Sequence, residues 1–261
     1  MSRIEFGEAR RVTSVLATVE RRCLIWLAAR LPSCVSSDHL TVLALVAMLA
    51  TGASYYASRL NRIALLGAIL GLAANWFGDS LDGTLARVRG HQRARYGFYV
   101  DHVVDCVGVL FVLGGLALSG FMSPAVAMGL LIAYFMLSIE VYLATYCLTV
   151  FRMSFWGIGP TELRILLAVG TLALWSDPRP EILGQQHRLF DVGGVVAVVL
   201  LAVTLVISVV RNTRALYLAE PLPKVRLKGA LSARPATSSG RAVEGPDATY
   251  EAVPTSSVQE A

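Results

Sequence analysis

The sequence has few charged residues and few cysteines for its length. Only 16% of its 261 residues are charged, whereas 55% are hydrophobic, a balance well outside that of soluble domains. The four cysteines have no CxxC spacing, so they predict neither a zinc site nor a disulfide framework. The formal net charge of +5 is typical of loops that face anionic lipid headgroups and does not indicate nucleic-acid binding. The composition predicts an integral membrane protein.

Apolar segments long enough to cross a bilayer follow one another through most of the chain. A spanning helix needs about 20 mostly apolar residues. Six segments are candidates, of which the fifth is the shortest: residues 40–58, 63–87, 97–118, 124–150, 161–176 and 190–210. Short connections join them, so we expect an all-α polytopic membrane protein with one catalytic domain over residues 37–215. We expect no cleavable signal sequence, and the first spanning helices would act as insertion signals.

The regions before and after this domain differ from it in pattern. Within residues 1–36, the stretch 7–31 places apolar side chains on one side at helical spacing: Val12, Val15, Leu16, Val19, Cys23, Trp26 and Leu27. This predicts an amphipathic helix in the membrane interface. A helix packed on a protein partner is the alternative, because periodicity does not distinguish lipid from protein. Residues 216–261 are rich in Pro, Ser, Ala, Gly and Thr and predict a cytoplasmic, mostly disordered tail.

Arginine positions predict the orientation of the helices. Arginines cluster at residues 10–30, at 87–95 and after 211. The loops at the opposite ends of the helices hold fewer: Arg59, Arg62, Arg179 and Arg188. Because cytoplasmic loops carry the excess of Lys and Arg, we expect both termini in the cytoplasm. In a bacterium the membrane would be the inner membrane.

Four aspartates lie within this apolar chain, on the second and third predicted spans. At 100° per residue, each span has a stripe of acidic and small side chains, Asn75, Asp79, Asp82, Gly83 and Ala86 on the second and Gly97, Asp101 and Asp105 on the third. The short connection between the spans predicts antiparallel neighbours whose stripes face each other. Asp79 lies about 24 Å from the outer start of its helix, near the cytoplasmic edge of a core about 30 Å thick.

Burying these carboxylates requires compensation. An aspartate near the centre of a membrane helix costs about 2.5–3.5 kcal/mol, and carboxylate oxygens are hard ligands suited to Mg²⁺ or Mn²⁺, ions that commonly serve phosphate chemistry. The alternative is a network of ion pairs with Arg87, Arg89 and Arg95. The neighbouring glycines either leave space for a polyphosphate near the backbone or allow close helix packing.

The residues around these aspartates carry a resemblance. The order Asp79-x-x-Asp82-Gly83-x-x-Ala86-Arg87, nine residues, then Gly97-x-x-x-Asp101-x-x-x-Asp105 resembles the signature of the CDP-alcohol phosphotransferase (phosphatidyltransferase) family. All eight signature positions are filled. The wider resemblance covers about residues 7–215, with an amphipathic helix followed by six spanning helices.

This resemblance implies an enzyme that transfers a substituted phosphate from a CDP-linked donor to an alcohol and releases CMP. It implies that Asp79, Asp82 and Asp101 bind metal, and that Asp105 completes the metal site and acts as the general base. The implied CDP-binding residues are Gly83, Ala86, Arg87 and Gly97. The implied cofactors are two Mg²⁺ or Mn²⁺ ions, and homodimers are common among the members that the chain resembles.

Residues outside the signature are candidates for binding the acceptor alcohol. Arg164 lies in the first turn of the fifth predicted span, where its charge opposes the helix dipole. It either binds an acceptor or lipid phosphate, or pairs with Glu162 or another fixed carboxylate. Glu140, within the fourth span, either hydrogen-bonds a polyol or bonds to a neighbouring helix. Before the first span, residues 37–41 occupy the place of a Pro-Asn-x-x-Thr-like stretch in relatives, although Pro and Asn are absent; Asp38 is alternatively a helix cap.

These observations together predict an enzyme of phospholipid synthesis with a site that opens to the cytoplasmic leaflet. We expect CDP-diacylglycerol as donor and glycerol 3-phosphate or an inositol compound as acceptor. The alternative is a CDP-choline- or CDP-ethanolamine-type donor with diacylglycerol as acceptor. A divalent-cation transporter is a further alternative, because intramembrane acidic clusters also mark ion pathways.

Overall fold

The computed structural model describes residues 15–148, 159–176, 180–182 and 184–220. They form seven α-helices, α1 Val15–Arg30, α2 Ser37–Ala57, α3 Ala64–Val88, α4 Ala94–Ser119, α5 Pro124–Leu148, α6 Pro160–Ala173 and α7 Leu189–Ala219. Strands β1 Glu181–Ile182 and β2 Gln185–Gln186 pair in an antiparallel hairpin before α7. The start of the predicted interfacial helix, before Val15, and the predicted tail from residue 221 onward lie outside the described residues.

The prediction of an all-α membrane protein is confirmed, but the count of six spans is not. Five helices, α2, α3, α4, α5 and α7, are long and apolar enough to cross a membrane. The remaining candidate, α6, has 14 residues before it tightens into a 3₁₀ turn, Leu174–Ser176. That is shorter than the about 20 residues that a spanning helix needs. The apolar helices indicate an integral membrane protein.

Helix α2 is the centre of the bundle. Both α3 and α4 pack against it, α6 and α1 pack on α3, and α5 joins α4 to α7. A Cβ at Gly115 of α4 would overlap the main chain of Gly52 on α2, so these two glycines let the backbones touch. Helices α3 and α4 each pack more extensively on α2 than on one another. Small residues of both helices, among them Gly78 of α3 and Gly115 of α4, face α2 and permit this close approach.

The turn between α3 and α4 sets the two helices antiparallel. Gly90 adopts a left-handed conformation, φ 68°, which glycine accepts without a Cβ penalty. The N–H of Gly90 donates to the carbonyl of Arg87 at 3.2 Å, and that of His91 to the carbonyl of Ala86 at 3.0 Å. This is the Schellman pattern that ends helices, and it returns the chain toward α4 within a few residues.

Helix α1 packs on α3. Leu24 and Ala28 are buried, whereas Cys23 and Trp26, which belong to the predicted apolar side, are exposed. Leu24 and Ala28 join a cluster with Leu81 of α3. Cys23 and Trp26 thus lie away from this cluster, and the interfacial position of α1 stays a prediction.

Candidate active site

Three of the four aspartates converge at the end of the bundle where α3 and α4 are joined. Carboxylate oxygens of Asp79, on α3, and of Asp101 and Asp105, on α4, lie within 4.8 Å of one another. All three residues are half-buried. The spacing of four residues on α4 places Asp101 and Asp105 one turn apart on one side. The predicted meeting of the two stripes therefore holds for these three residues.

The fourth aspartate, Asp82, is directed toward α2. It is buried, and its Oδ2 accepts a hydrogen bond from Thr41 Oγ1 at 2.6 Å. Its other carboxylate oxygen accepts from the main-chain N–H of Gly83. Ser37 Oγ also donates to the main-chain carbonyl of Asp82 at 2.9 Å. The structure thus brings together three carboxylates, not the four expected, and holds the fourth beside them through hydroxyl groups of α2.

Arg164 of α6 reaches this cluster. Its Nη2 lies 2.5 Å from Asp79 Oδ2, and its Nε donates to Asn75 Oδ1 at 2.7 Å. Asn75 in turn donates from Nδ2 to the carbonyl of Ala44 at 3.1 Å, which ties the pair to α2. Of the alternatives for Arg164, the structure has the ion pair with a fixed carboxylate, and that carboxylate is Asp79. Glu162 accepts from the main-chain N–H of Gly159 at 2.9 Å, at the start of α6.

The arginines nearest the signature in sequence have other described contacts. The guanidinium of Arg89 donates to main-chain carbonyls before α2, including those of Leu31 and Pro32 at 2.9 Å. Arg87 Nη2 donates to Thr84 Oγ1 at 3.0 Å. Among the described ion pairs, the arginine that meets the three converging aspartates is Arg164 of α6.

Asp38 is also placed differently from the simple cap. The N-cap of α2 is Ser36, whose side chain accepts from the N–H of His39 at 3.2 Å. Asp38 lies in the first turn and pairs with Arg93 at 2.7 Å, with both side chains half exposed or more. This exposed pair links the start of α2 to the connection between α3 and α4.

The glycines of the signature face open space. A Cβ built at Gly97 would have no atom within 4 Å among the described residues. At Gly83 the nearest atom to such a Cβ is the Arg87 guanidinium, at 3.5 Å. Ala86 is half-buried beside them. Of the two interpretations, close helix packing is thus realised by Gly52 and Gly115, whereas Gly83 and Gly97 leave room beside the carboxylates.

Glu140 lies between α5 and α7, in contact with polar residues of α7. Its Oε2 accepts from Ser208 Oγ at 2.8 Å, and its Oε1 accepts from Asn212 Nδ2 at 2.7 Å. These bonds are those of the interhelix alternative. The predicted role of Glu140 in acceptor binding stays a prediction.

The donor set of the cluster fits a divalent metal ion. It consists of carboxylate oxygens, which Mg²⁺ and Mn²⁺ prefer. One guanidinium, that of Arg164, balances one of the three converging carboxylates. Two further negative charges in an apolar bundle favour a bound cation. Asp79, Asp101 and Asp105 are therefore the residues that could hold such an ion.

The helices and this cluster define a helical membrane protein with an acidic site that adjoins Gly83 and Gly97. The sequence model of the CDP-alcohol phosphatidyltransferase family matches residues 35–210. The chain belongs to this family, whose members transfer phosphate-containing groups in phospholipid synthesis and typically depend on a divalent metal. A search of curated proteins found no match.

Sequence reasoning missed two sets of contacts at the site. The bonds from Ser37 and Thr41 to Asp82 could have been anticipated, because two hydroxyls four residues apart share one side of a helix. Glu20 of α1 also accepts bonds from two neighbouring helices. The sequence signal for these bonds was the spacing of four residues between Glu20 and Leu24, which puts the carboxylate on the buried side of α1.

Proposed function

We propose that this protein transfers a phosphatidyl group from CDP-diacylglycerol to a small polar alcohol, such as glycerol 3-phosphate or an inositol compound, and releases CMP. The observation that carries the proposal is the convergence of Asp79, Asp101 and Asp105 within 4.8 Å. These are signature positions of the family, and they come from two helices, α3 and α4. The family match supports the reaction class; the choice of donor and acceptor is our inference.

The aspartates have distinct roles in this proposal. Asp79, Asp82, Asp101 and Asp105 hold two Mg²⁺ or Mn²⁺ ions, with Asp82 kept beside the cluster by Thr41. When bound, the ions offset negative charge on the carboxylates and the pyrophosphate. Asp105 accepts the proton of the acceptor hydroxyl, whose oxygen bonds to phosphorus while the bond from phosphorus to CMP breaks.

The space beside the carboxylates accommodates the nucleotide in this proposal. Gly83, Ala86 and Gly97 allow the CDP group to approach the backbone, and Arg87 pairs with its phosphates. Support comes from the open surroundings of Gly83 and Gly97. A side chain at either position would occupy the volume that the pyrophosphate needs.

The acceptor is assigned to the side of the cluster where Arg164 lies. A guanidinium has five N–H donors, and the described bonds of Arg164 use Nε and Nη2. Donors therefore remain for a phosphate on the acceptor, next to Asp105. Glu140 is a second candidate for a polyol contact, in which hydroxyls of the polyol would replace its hydrogen-bond donors on α7.

The proposed setting is a multi-pass protein with α1 in the interface and both termini and the site in the cytoplasm. It has six spanning helices, the shortest of which is α6 continued by its 3₁₀ turn to Ser176. The connection after α3 is rich in arginine, as cytoplasmic loops are. The aspartates lie at the same end of the helices, so the site would also be cytoplasmic. In a bacterium the protein would lie in the inner membrane. Homodimerisation is proposed from the family alone.

An assay with labelled CDP-diacylglycerol and a panel of alcohols tests this assignment. We expect metal-dependent CMP release with at least one polyol or polyol phosphate. Absence of CMP release with the whole panel, together with activity on CDP-choline or CDP-ethanolamine and diacylglycerol, would reverse the donor and acceptor. Metal uptake into vesicles without CDP-dependent chemistry would favour the transporter.

A further inference from the structure

Glu20 is a carboxylate on the packed side of α1. The residues one and two turns after it, Leu24 and Ala28, are buried, whereas Arg21 and Arg22 are exposed. Glu20 is half-buried on the same side as Leu24. A carboxylate in such a position needs hydrogen-bond partners, because burying an unpaired charge is costly.

One oxygen of Glu20 joins three helices. Its Oε1 accepts from Trp76 Nε1, on α3, at 2.7 Å and from Thr161 Oγ1, on α6, at 2.9 Å. The carboxylate therefore holds the first turn of α6 against α3. Helix α6 has only 14 residues, so a bond at its first turn has a large share in fixing its position.

Both partners of Glu20 lie next to the contact between Arg164 and Asp79. Thr161 is three residues before Arg164 on α6, and Trp76 is three residues before Asp79 on α3, in each case about one helical turn. A shift at the start of α6 would therefore move Arg164 relative to Asp79.

We propose that Glu20 is a positioning residue that holds α6 on α3 and so sets the guanidinium of Arg164 at the acceptor side of the site. The kinetic part rests on the proposed function, in which Arg164 binds the acceptor. The role needs a hydrogen-bond acceptor and not a charge, because one oxygen receives both bonds. A glutamine amide oxygen offers the same two acceptor sites.

Kinetics of three variants test the proposal. Because small displacements of a positioning group are costly, Glu20→Ala should raise the KM for the acceptor alcohol about tenfold while the KM for the CDP donor stays within about twofold. Glu20→Gln should restore the acceptor KM. Leu24→Ala, one turn away on the same packed side, should lower the melting temperature without changing the acceptor KM. Equal rises in acceptor KM for Glu20→Ala and Leu24→Ala would mean that Glu20 acts only through packing, and would overturn the proposal.

A second variant guards against a misfolded Glu20→Ala protein. Thr161→Val removes the bond to α6 but keeps the bond between Glu20 and Trp76. It should raise the acceptor KM as much as Glu20→Ala does. The double variant should show no further rise, because both changes remove one contact. Additive effects of the two changes would contradict a shared role.

A spectroscopic measurement tests the positioning without using activity. In protein labelled with ¹⁵N-arginine, the Nε–H resonance of Arg164, assigned by its loss in Arg164→Lys, reports the bond to Asn75. We expect this resonance to shift in Glu20→Ala and Thr161→Val and to keep its position in Glu20→Gln. An unshifted Arg164 resonance in Glu20→Ala would overturn the proposal. If the wild-type protein released no CMP, the proposed function would fail, and this measurement would still decide whether Glu20 positions Arg164.

Discussion

Glycines at the two ends of the helical bundle, Gly115 at one end and Gly97 at the other, have different surroundings. At the packed end, around Gly52 and Gly115, a Cβ on either residue would overlap the main chain of the facing helix. At the acidic end, around Asp79 and Asp101, a Cβ on Gly97 would meet no described atom within 4 Å. Gly52 and Gly115 thus permit close packing of α2 and α4, whereas the signature residue Gly97 has space around it. The contrast concerns these positions, since Gly78, next to Asp79, also packs against the main chain of α2.

The hydrogen bonds and charges of polar groups also differ between the two ends. At the packed end the hydroxyl of Thr171 bonds to Tyr55 Oη at 2.6 Å and to the carbonyl of Leu167 at 2.7 Å. Arg59 and Arg62 donate to the last carbonyls of α4 and of the 3₁₀ turn, at Leu118 and Trp175. Such bonds satisfy groups that the fold already contains. At the acidic end, by contrast, three carboxylates converge and one arginine pairs with them, so negative charge is in excess. Such an excess is the property of a binding site.

The largest expected effect comes from removing a carboxylate at the acidic end. Asp105→Asn removes the proposed base and a metal ligand, so CMP release should fall by about a thousandfold or more. The melting temperature should not fall, because an uncompensated charge is removed. A CMP-release assay and thermal unfolding in detergent measure the two quantities. Turnover within tenfold of wild type would exclude Asp105 as the base.

A methyl group at the packed end should affect stability. In Gly115→Ala the added Cβ would overlap the main chain of Gly52, so α2 and α4 must separate. The free energy of unfolding should therefore fall by about 1–3 kcal/mol. Unfolding in detergent measures this loss. An unchanged stability would mean that the two helices are not held by this contact.

The same methyl group at the acidic end should affect substrate binding and not stability. Gly97→Ala is the matched change, and we expect an unchanged melting temperature with a KM for the CDP donor raised about tenfold, because the proposed pyrophosphate space is narrowed. Steady-state kinetics at fixed acceptor concentration give this value. Loss of stability with an unaltered donor KM would remove the distinction between the two ends.

The smallest effect is expected at Glu140. Glu140→Gln replaces one acceptor oxygen by an amide group, so the bonds to Ser208 and Asn212 weaken and the unfolding free energy should fall by about 1 kcal/mol. The acceptor KM should stay within about twofold if these bonds are the whole role of Glu140. A clearly raised acceptor KM would instead establish the predicted polyol contact.

Helical periodicity predicted the converging aspartates because it fixes which side chains share a side of one helix. Asp79, Asp101 and Asp105 meet as expected. Periodicity does not fix which neighbour a side packs against. The sequence therefore did not indicate that α2 packs against both α3 and α4, or that Leu24 and Ala28 form the side of α1 that packs on α3.

Contacts between residues distant in sequence could not be predicted from the chain alone. Asp82 had the same pattern as the other aspartates, yet it accepts a hydrogen bond from Thr41, forty-one residues earlier, and lies beside the three that converge. Arg164 was expected to meet an anion or a carboxylate, but its partner Asp79 is 85 residues away. Such pairings depend on the relative placement of helices, which a single sequence does not specify.

Metal-dependent CMP release by the wild-type protein and by two asparagine variants tests the central claim most directly. Asp101→Asn removes a carboxylate of the acidic cluster, whereas Asp191→Asn changes a carboxylate at the packed end that accepts from the main-chain N–H of Ser123. We predict that release requires added Mg²⁺ or Mn²⁺, is abolished in Asp101→Asn and is retained in Asp191→Asn. Retained turnover in Asp101→Asn, or full activity of the wild-type protein after chelation, would contradict the assignment of the acidic end as the metal-dependent site.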